Sequence, residues 1–281
     1  MPAQDGSRTA TVPTLTSLVD HAIPLLFLFL LLMWRRVKRR VPVSTVTALF
    51  AAGLVGSILP LLEEAWQQEV DQRTPALARA ALLLVTAVAT SQVPIVSRLA
   101  GQPVTFDADD PTLAPTLTAL LVHHLTLVGQ TTLMPLRRLL EEGFPPGMTP
   151  GQQAQLLRDV VGLTPTQQET ALRRPGDERT AWIQEALQRR AALIAVTLAH
   201  ALAILGQRLV VEQAIQQGLV PVDAVRRFWQ VKPGACAVCA AIPGMNPAGV
   251  GLYELFQTPS GPVMEPGLHP MCRCELQYRK A

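Results

Sequence analysis

The sequence predicts a mainly α protein, an elongated helical body followed by a small C-terminal α+β module. Three observations carry this expectation. Between about residues 43 and 218 Ala, Leu and Val dominate and turn residues are few. Apolar side chains in that stretch recur at helical spacing. Past Gly218 the composition changes to Pro, Gly, aromatic and Cys residues, with too few long apolar runs to build a core unaided. The expected organisation is a polar arm plus an apolar/basic helix over 1–42, a helical body over 43–218 and a Cys/His-rich module over 219–281.

Residues 1–13 are polar and punctuated by Pro, and read as an arm. Residues 22–34 are 13 uninterrupted apolar residues closed by Arg35, Arg36, Lys38, Arg39 and Arg40. A bilayer span needs about 20 such residues, and reaching back to Leu15 for them takes in Asp20 and His21. A helix buried against other protein is therefore the first reading. Apolar-then-basic is also how an inside-positive anchor is written, which makes the five basic residues a candidate membrane or phosphate contact.

Helices are expected over 43–70 and 75–97, with breaks or kinks at Gly53, Gly56 and Pro60 in the first and at Pro94 in the second. Asp107, Asp109 and Asp110 precede Pro111, so an Asp cap should start a helix at Pro111 that runs toward Glu142 and stops at Gly143 and Pro145-Pro146-Gly147. Thr149-Pro150-Gly151-Gln152 and Thr164-Pro165-Thr166-Gln167 each set a Thr cap, a first-turn Pro and a Gln three residues on, the capping-box pattern. They open two short helices joined at Gly162. A long helix over 178–217 carries Ile183, Leu187, Ile194, Leu198, Leu205 and Leu209 at helical spacing, a core stripe.

Apolar residues make up 49% and charged residues 16% of the chain, less charge than the roughly 25% of ordinary soluble proteins. Disorder is excluded as the main state, and much of the surface is expected to face something other than water. The net charge of +3 is too small to wrap nucleic acid by bulk electrostatics. All four cysteines lie beyond residue 235, which argues against a secreted disulfide scaffold. Asp5 and Arg8, and a basic cluster in place of a cleavage site, argue against a signal peptide, so the chain is expected to be cytoplasmic when made.

The module carries Cys236-x-x-Cys239 and His269-x-x-Cys272-x-Cys274, five soft or borderline ligands in two clusters. Two thiolates at i and i+3 can hold one ion from a tight turn, and Pro233-Gly234 supplies turn residues just before them. A structural zinc is the favoured reading, with Cys236, Cys239, His269 and Cys272 as ligands. Cys274 is the expected spare, because alternate residues of an extended strand point to opposite faces. Two disulfides, disfavoured in a reducing cytosol, and four buried thiols are the alternatives.

Nothing else in the sequence has the form of an active site. A Gly-rich phosphate loop, a G-x-S-x-G elbow and H-E-x-x-H are all missing, and no acid or His-Glu pair in the tail would activate a zinc-bound water. His123 and His124 diverge by about 100° on a helix and read as packing residues. The acidic loop reads as a cap, and His200 as a satisfied core histidine. The chain is thus expected not to be an enzyme and to have no small-molecule substrate.

Trp229, the Cys236-x-x-Cys239 knuckle and His269-Pro270-Met271-Cys272-Arg273-Cys274 stand in an order that resembles the tail of the phage head morphogenesis, or minor head, proteins related to the F protein of phage Mu. Phe106-Asp107, Gly147, Gly162-Leu163-Thr164 with Gln167, Gly206, Ala214 and Gly218 look like the helical body of the same family. The family's I-A-x-T-E motif ends differently here, Ile194-Ala195-Val196-Thr197 being followed by Leu198, so no role for that acid carries over. The resemblance does not cover residues 1–100. It implies a minor capsid protein of a tailed phage or phage-like particle, associated with the portal protein and other capsid proteins at the portal vertex or head interior of the virion. A role in assembly, DNA packaging or DNA ejection would follow, with contact to packaged DNA. The alternative function is a membrane-active ejection protein that inserts its N-terminal apolar segment into the host membrane.

Overall fold

Eight α-helices and a three-stranded sheet make up the described residues, 15–267 and 272–281 of the computed structural model. The polar arm and the segment 268–271, including His269, lie outside the described residues. The helical body is formed by α1 (Leu15–Arg40), α2 (Val43–Ala51), α3 (Ile58–Ala100), α4 (Leu113–Glu142), α5 (Pro150–Val160), α6 (Pro165–Leu172) and α7 (Gly176–Gln216). The tail adds β1 (Val225–Gln230), α8 (Ala237–Met245), β2 (Val250–Gly251) and β3 (Glu275–Lys280).

The two helices expected over 43–70 and 75–97 are divided differently. Gly53, at φ 72°, ends α2 in a turn, and Pro60 falls in the first turn of α3, where its missing N–H costs nothing. From there α3 continues for 43 residues, about 65 Å, through both Pro75 and Pro94. A Pro inside a helix costs about 3 kcal/mol. One unbroken buried stripe on either side of Pro75, from Leu62, Trp66 and Val70 to Leu77, Ala81, Leu84 and Val88, outweighs it.

α3 packs against α1, α4 and α7, and α1 packs against α7. The apolar/basic helix that the sequence sets apart in 1–42 is therefore part of the body: Val19, Leu26, Leu30, Met33, Trp34 and Val37 of α1 share a core with α3, α4 and α7. Small residues permit the closest approaches. A Cβ on Gly206 of α7 would stand 2.7 Å from the Val85 carbonyl of α3, and one on Gly129 of α4 would collide with the Trp66 indole.

Helix entry follows the expected capping chemistry at two places. Thr149 and Thr164 each accept the N–H of the Gln three residues on at 3.3 Å, and Gln152 and Gln167 reach back to the cap N–H groups at 2.9 and 3.0 Å. Asp110 instead accepts the Thr112 N–H and hydroxyl, at 2.8 and 2.7 Å, closing a turn so that α4 starts at Leu113, two residues past the expected Pro111. Gln213 of α7 ties that acidic loop down through Asp107 N–H, Asp107 C=O and Asp110 Oδ2.

The tail is a sheet of order β2-β1-β3 with both pairings antiparallel. Its core is not its own. Val225, Trp229, Phe256, Leu276 and Tyr278 pack with Ala89 and Val96 of α3 and with Ile204, Val210, Val211 and Ala214 of α7. The body thus supplies apolar surface that the tail sequence lacks.

Candidate metal centre

Antiparallel pairing builds the site. Register places Trp229 opposite Leu276 and Gln230 opposite Glu275, so the chain leaving β1 and the chain entering β3 emerge side by side. Leaving β1, it turns at Pro233-Gly234, with Gly234 at φ 78°, and enters α8 through Cys236. Cys236 is the N-cap of α8 and its sulfur receives the Cys239 N–H, so the knuckle's first cysteine orients the turn that carries the second. On the other side Cys272 and Cys274 immediately precede β3.

Cys239, Cys272 and Cys274 form a buried cluster whose ligand atoms all lie within 4.8 Å of one another. The Cys239 and Cys272 sulfurs are 3.9 Å apart. A tetrahedral ion with metal–sulfur bonds of about 2.3 Å sets its sulfurs about 3.8 Å apart, so this spacing suits one shared ion. No disulfide joins any of the four cysteines. Cys236 is exposed and lines the same cavity of about 200 Å³ with Lys232, Gly234 and Arg273.

The expectation that Cys274 is spare fails on local geometry. Residues 272–274 are not yet strand, so the alternation that would turn Cys274 away does not apply, and both cysteines are buried beside Cys239. The sequence-predicted ligands Cys239, Cys272 and Cys274 come together; Cys236 stands at the rim, and His269 lies outside the described residues.

The electrostatics suit thiolate ligation. A hydrogen bond from Cys274, joined by the backbone N–H groups of Cys274 and Gly267, holds Cys272 down to about 5. Burial pushes Cys239 up to about 12, and Cys274 is raised by its bond to Cys272 and by burial. The Trp229 indole and the Lys232 backbone N–H favour the Cys274 thiolate. Trp229 Nε1 is buried and makes no hydrogen bond among the described residues, so it acts on Cys274 as a nearby polar N–H rather than as a bonded donor. A cation would displace the protons of the two raised thiols, and the surrounding N–H groups would stabilise the resulting sulfur charge.

Two residues that matter here were not singled out from the sequence. Arg227 is fully buried in β1 and donates to the carbonyls of Gly251 at 3.1 Å, Met264 at 2.8 Å and Glu254, pinning the loop between α8 and β3. Its signal was the alternation Val225, Arg227, Trp229, which puts an Arg on the apolar face. Arg190 of α7 is likewise buried, and sits at helical spacing between Leu187 and Ile194 on the core stripe.

The remaining candidates are placed as follows. Arg40 pairs with buried Glu69 at 2.6 Å and bonds Gln68 and Gln72, and Lys38 donates to the Asp159 carbonyl at 3.3 Å. Lys38 is turned into the fold by its partner, whereas Arg40, although paired, stays exposed together with Arg35 and Arg39, and Arg36 is half-buried. His124 bonds the Leu120 carbonyl at 3.0 Å and stacks edge-on against His123. His200, expected in the core, is only half-buried and lines a cleft with Asp20, Lys232, Arg273 and Glu275. Comparison with protein-family models, with curated proteins and with solved structures finds no match.

Proposed function

We propose that this chain is a structural, non-enzymatic minor head protein of a tailed phage or phage-like particle, docking on the portal and inner procapsid, and that its cysteine centre holds zinc. The observation that supports the reading is the tail: Trp229, Cys239, Cys272 and Cys274, members of the motif that resembles the minor head proteins, are gathered in one buried centre packed on the ends of α3 and α7. Zinc suits an all-cysteine, tetrahedrally spaced set, with Cys236 or His269 as the fourth ligand. The metal stiffens a small module whose own core is thin. The test is quantitative mass spectrometry of purified particles and of host membranes from one culture. A fixed low ratio to the portal subunit in particles is expected; recovery from membranes alone would contradict the role.

The second reading, a membrane-active ejection protein, is favoured by the outer face of α1. Leu25, Leu28 and Leu32 are exposed in a stripe at helical spacing that ends at exposed Arg35 and Arg39. Four helices are long and apolar enough to cross a bilayer by length and composition; the best 18-residue window is 17% buried in α1 and 78% in α7. On this reading, changing Leu25, Leu28 and Leu32 together to Gln abolishes flotation with anionic liposomes, and unchanged flotation would refute it.

A further inference from the structure

A cavity of about 330 Å³ opens between α4 and α7 and shares no lining residue with the cysteine centre. Its walls are Leu127, Val128, Leu193, Ile194 and Leu198, and its one cationic lining residue is Arg190. Leu127 and Leu193 are 45% and 36% exposed, whereas Arg190 is only 5% exposed, so the apolar side chains form the mouth and the guanidinium the buried end. That volume is at the small end of the roughly 300 to 1,000 Å³ of ligand pockets.

Arg190 is held in place without being neutralised. Nη1 donates to the Gly162 carbonyl at 2.6 Å, Nη2 donates to Thr131 Oγ1 at 2.8 Å, and the guanidinium lies 5.6 Å from the Trp34 ring centroid. A guanidinium has five N–H donors, and among the described residues it meets only these two acceptors and no carboxylate. Burial alone lowers it, to about 10, so it remains cationic at neutral pH. A buried charge normally has a counter-charge, since an uncompensated one is costly. Here the guanidinium lines an apolar cavity.

We propose that this cavity is a binding site for a small amphipathic anion, a medium-chain carboxylate whose head pairs with Arg190 and whose tail lies along Leu193, Ile194 and Leu127. Charge complementarity selects the head and the lining selects the tail. Gly162 contributes through its carbonyl and by its φ of 98°, which aims the turn between α5 and α6 at the guanidinium.

The test titrates the full chain with decanoate and, in parallel, with decanol, both below micelle-forming concentration, by calorimetry. Decanoate is expected to bind at least about tenfold more tightly than decanol, since a charge-assisted hydrogen bond pair exceeds the tenfold increment. Arg190→Gln should bring decanoate to the decanol level. Leu193→Trp, which fills the mouth and leaves the guanidinium in place, should abolish both and decides the matter if Arg190→Gln does not fold. Equal affinity for the two probes, no binding of either, or decanoate binding unchanged in Leu193→Trp would overturn the site.

Discussion

Along α3 the body buries 15 side chains on one helix, whereas β1, the central strand of the tail, buries three, one of them Arg227. The body is held by long apolar stripes in which each contact is one of many. The tail is held by a few polar devices, the Arg227 clamp and the cysteine centre, and by surface lent from α3 and α7. Redundancy should make the body tolerant of single changes and the tail brittle.

The largest effect should come from removing the proposed zinc. Chelation is expected to expose residues 231–281 to protease while the far-ultraviolet helical signal of the body persists. In small zinc modules the ion contributes roughly 10 to 16 kcal/mol of apparent stability, and the shared core makes the effect here smaller. Cooperative collapse of body and tail together would break the comparison.

Next is Arg227→Met, which leaves three part-buried carbonyls without their donor. A cost of about 3 kcal/mol or more is expected in urea unfolding monitored on the tail. Gly206→Ala should follow, at about 1 to 3 kcal/mol, because the added methyl meets backbone at the α3–α7 crossing. Gly56→Ala, with nothing within 4 Å, is the matched control.

A pH experiment sharpens the body side. Burial lowers Lys38 from 10.5 to about 8, so between these values the unfolded chain holds a proton that the folded chain does not. Stability contributed by this group therefore rises as pH rises through that window. The difference between the wild type and Lys38→Met should show this slope, and a flat difference would mean that the ammonium is not desolvated. The smallest effect is Thr164→Ala, about 1 kcal/mol for a lost capping box, read from thermal unfolding.

What could be read from the sequence follows the same division. Both Thr caps, the stop at Gly143 and the α7 stripe are set by local chemistry and were legible from neighbouring residues. The continuity of α3 through Pro75 was not, because it depends on α4 and α7 packing along both sides of the proline. In the site, the two cysteine clusters were legible by spacing alone. The inclusion of Cys274 was not, because it depends on β3 beginning only at Glu275, one residue after it. Arg190 and Arg227 break the apolar pattern of their own elements, and each is buried with its guanidinium bonded to backbone carbonyls of other segments.

The most direct test of the account is metal analysis of the purified full chain. About one zinc per chain is expected, lost in Cys239→Ser, Cys272→Ser and Cys274→Ser alike. Less than about 0.2 zinc per chain with all four thiols titratable, or full zinc retention in Cys274→Ser, would contradict it.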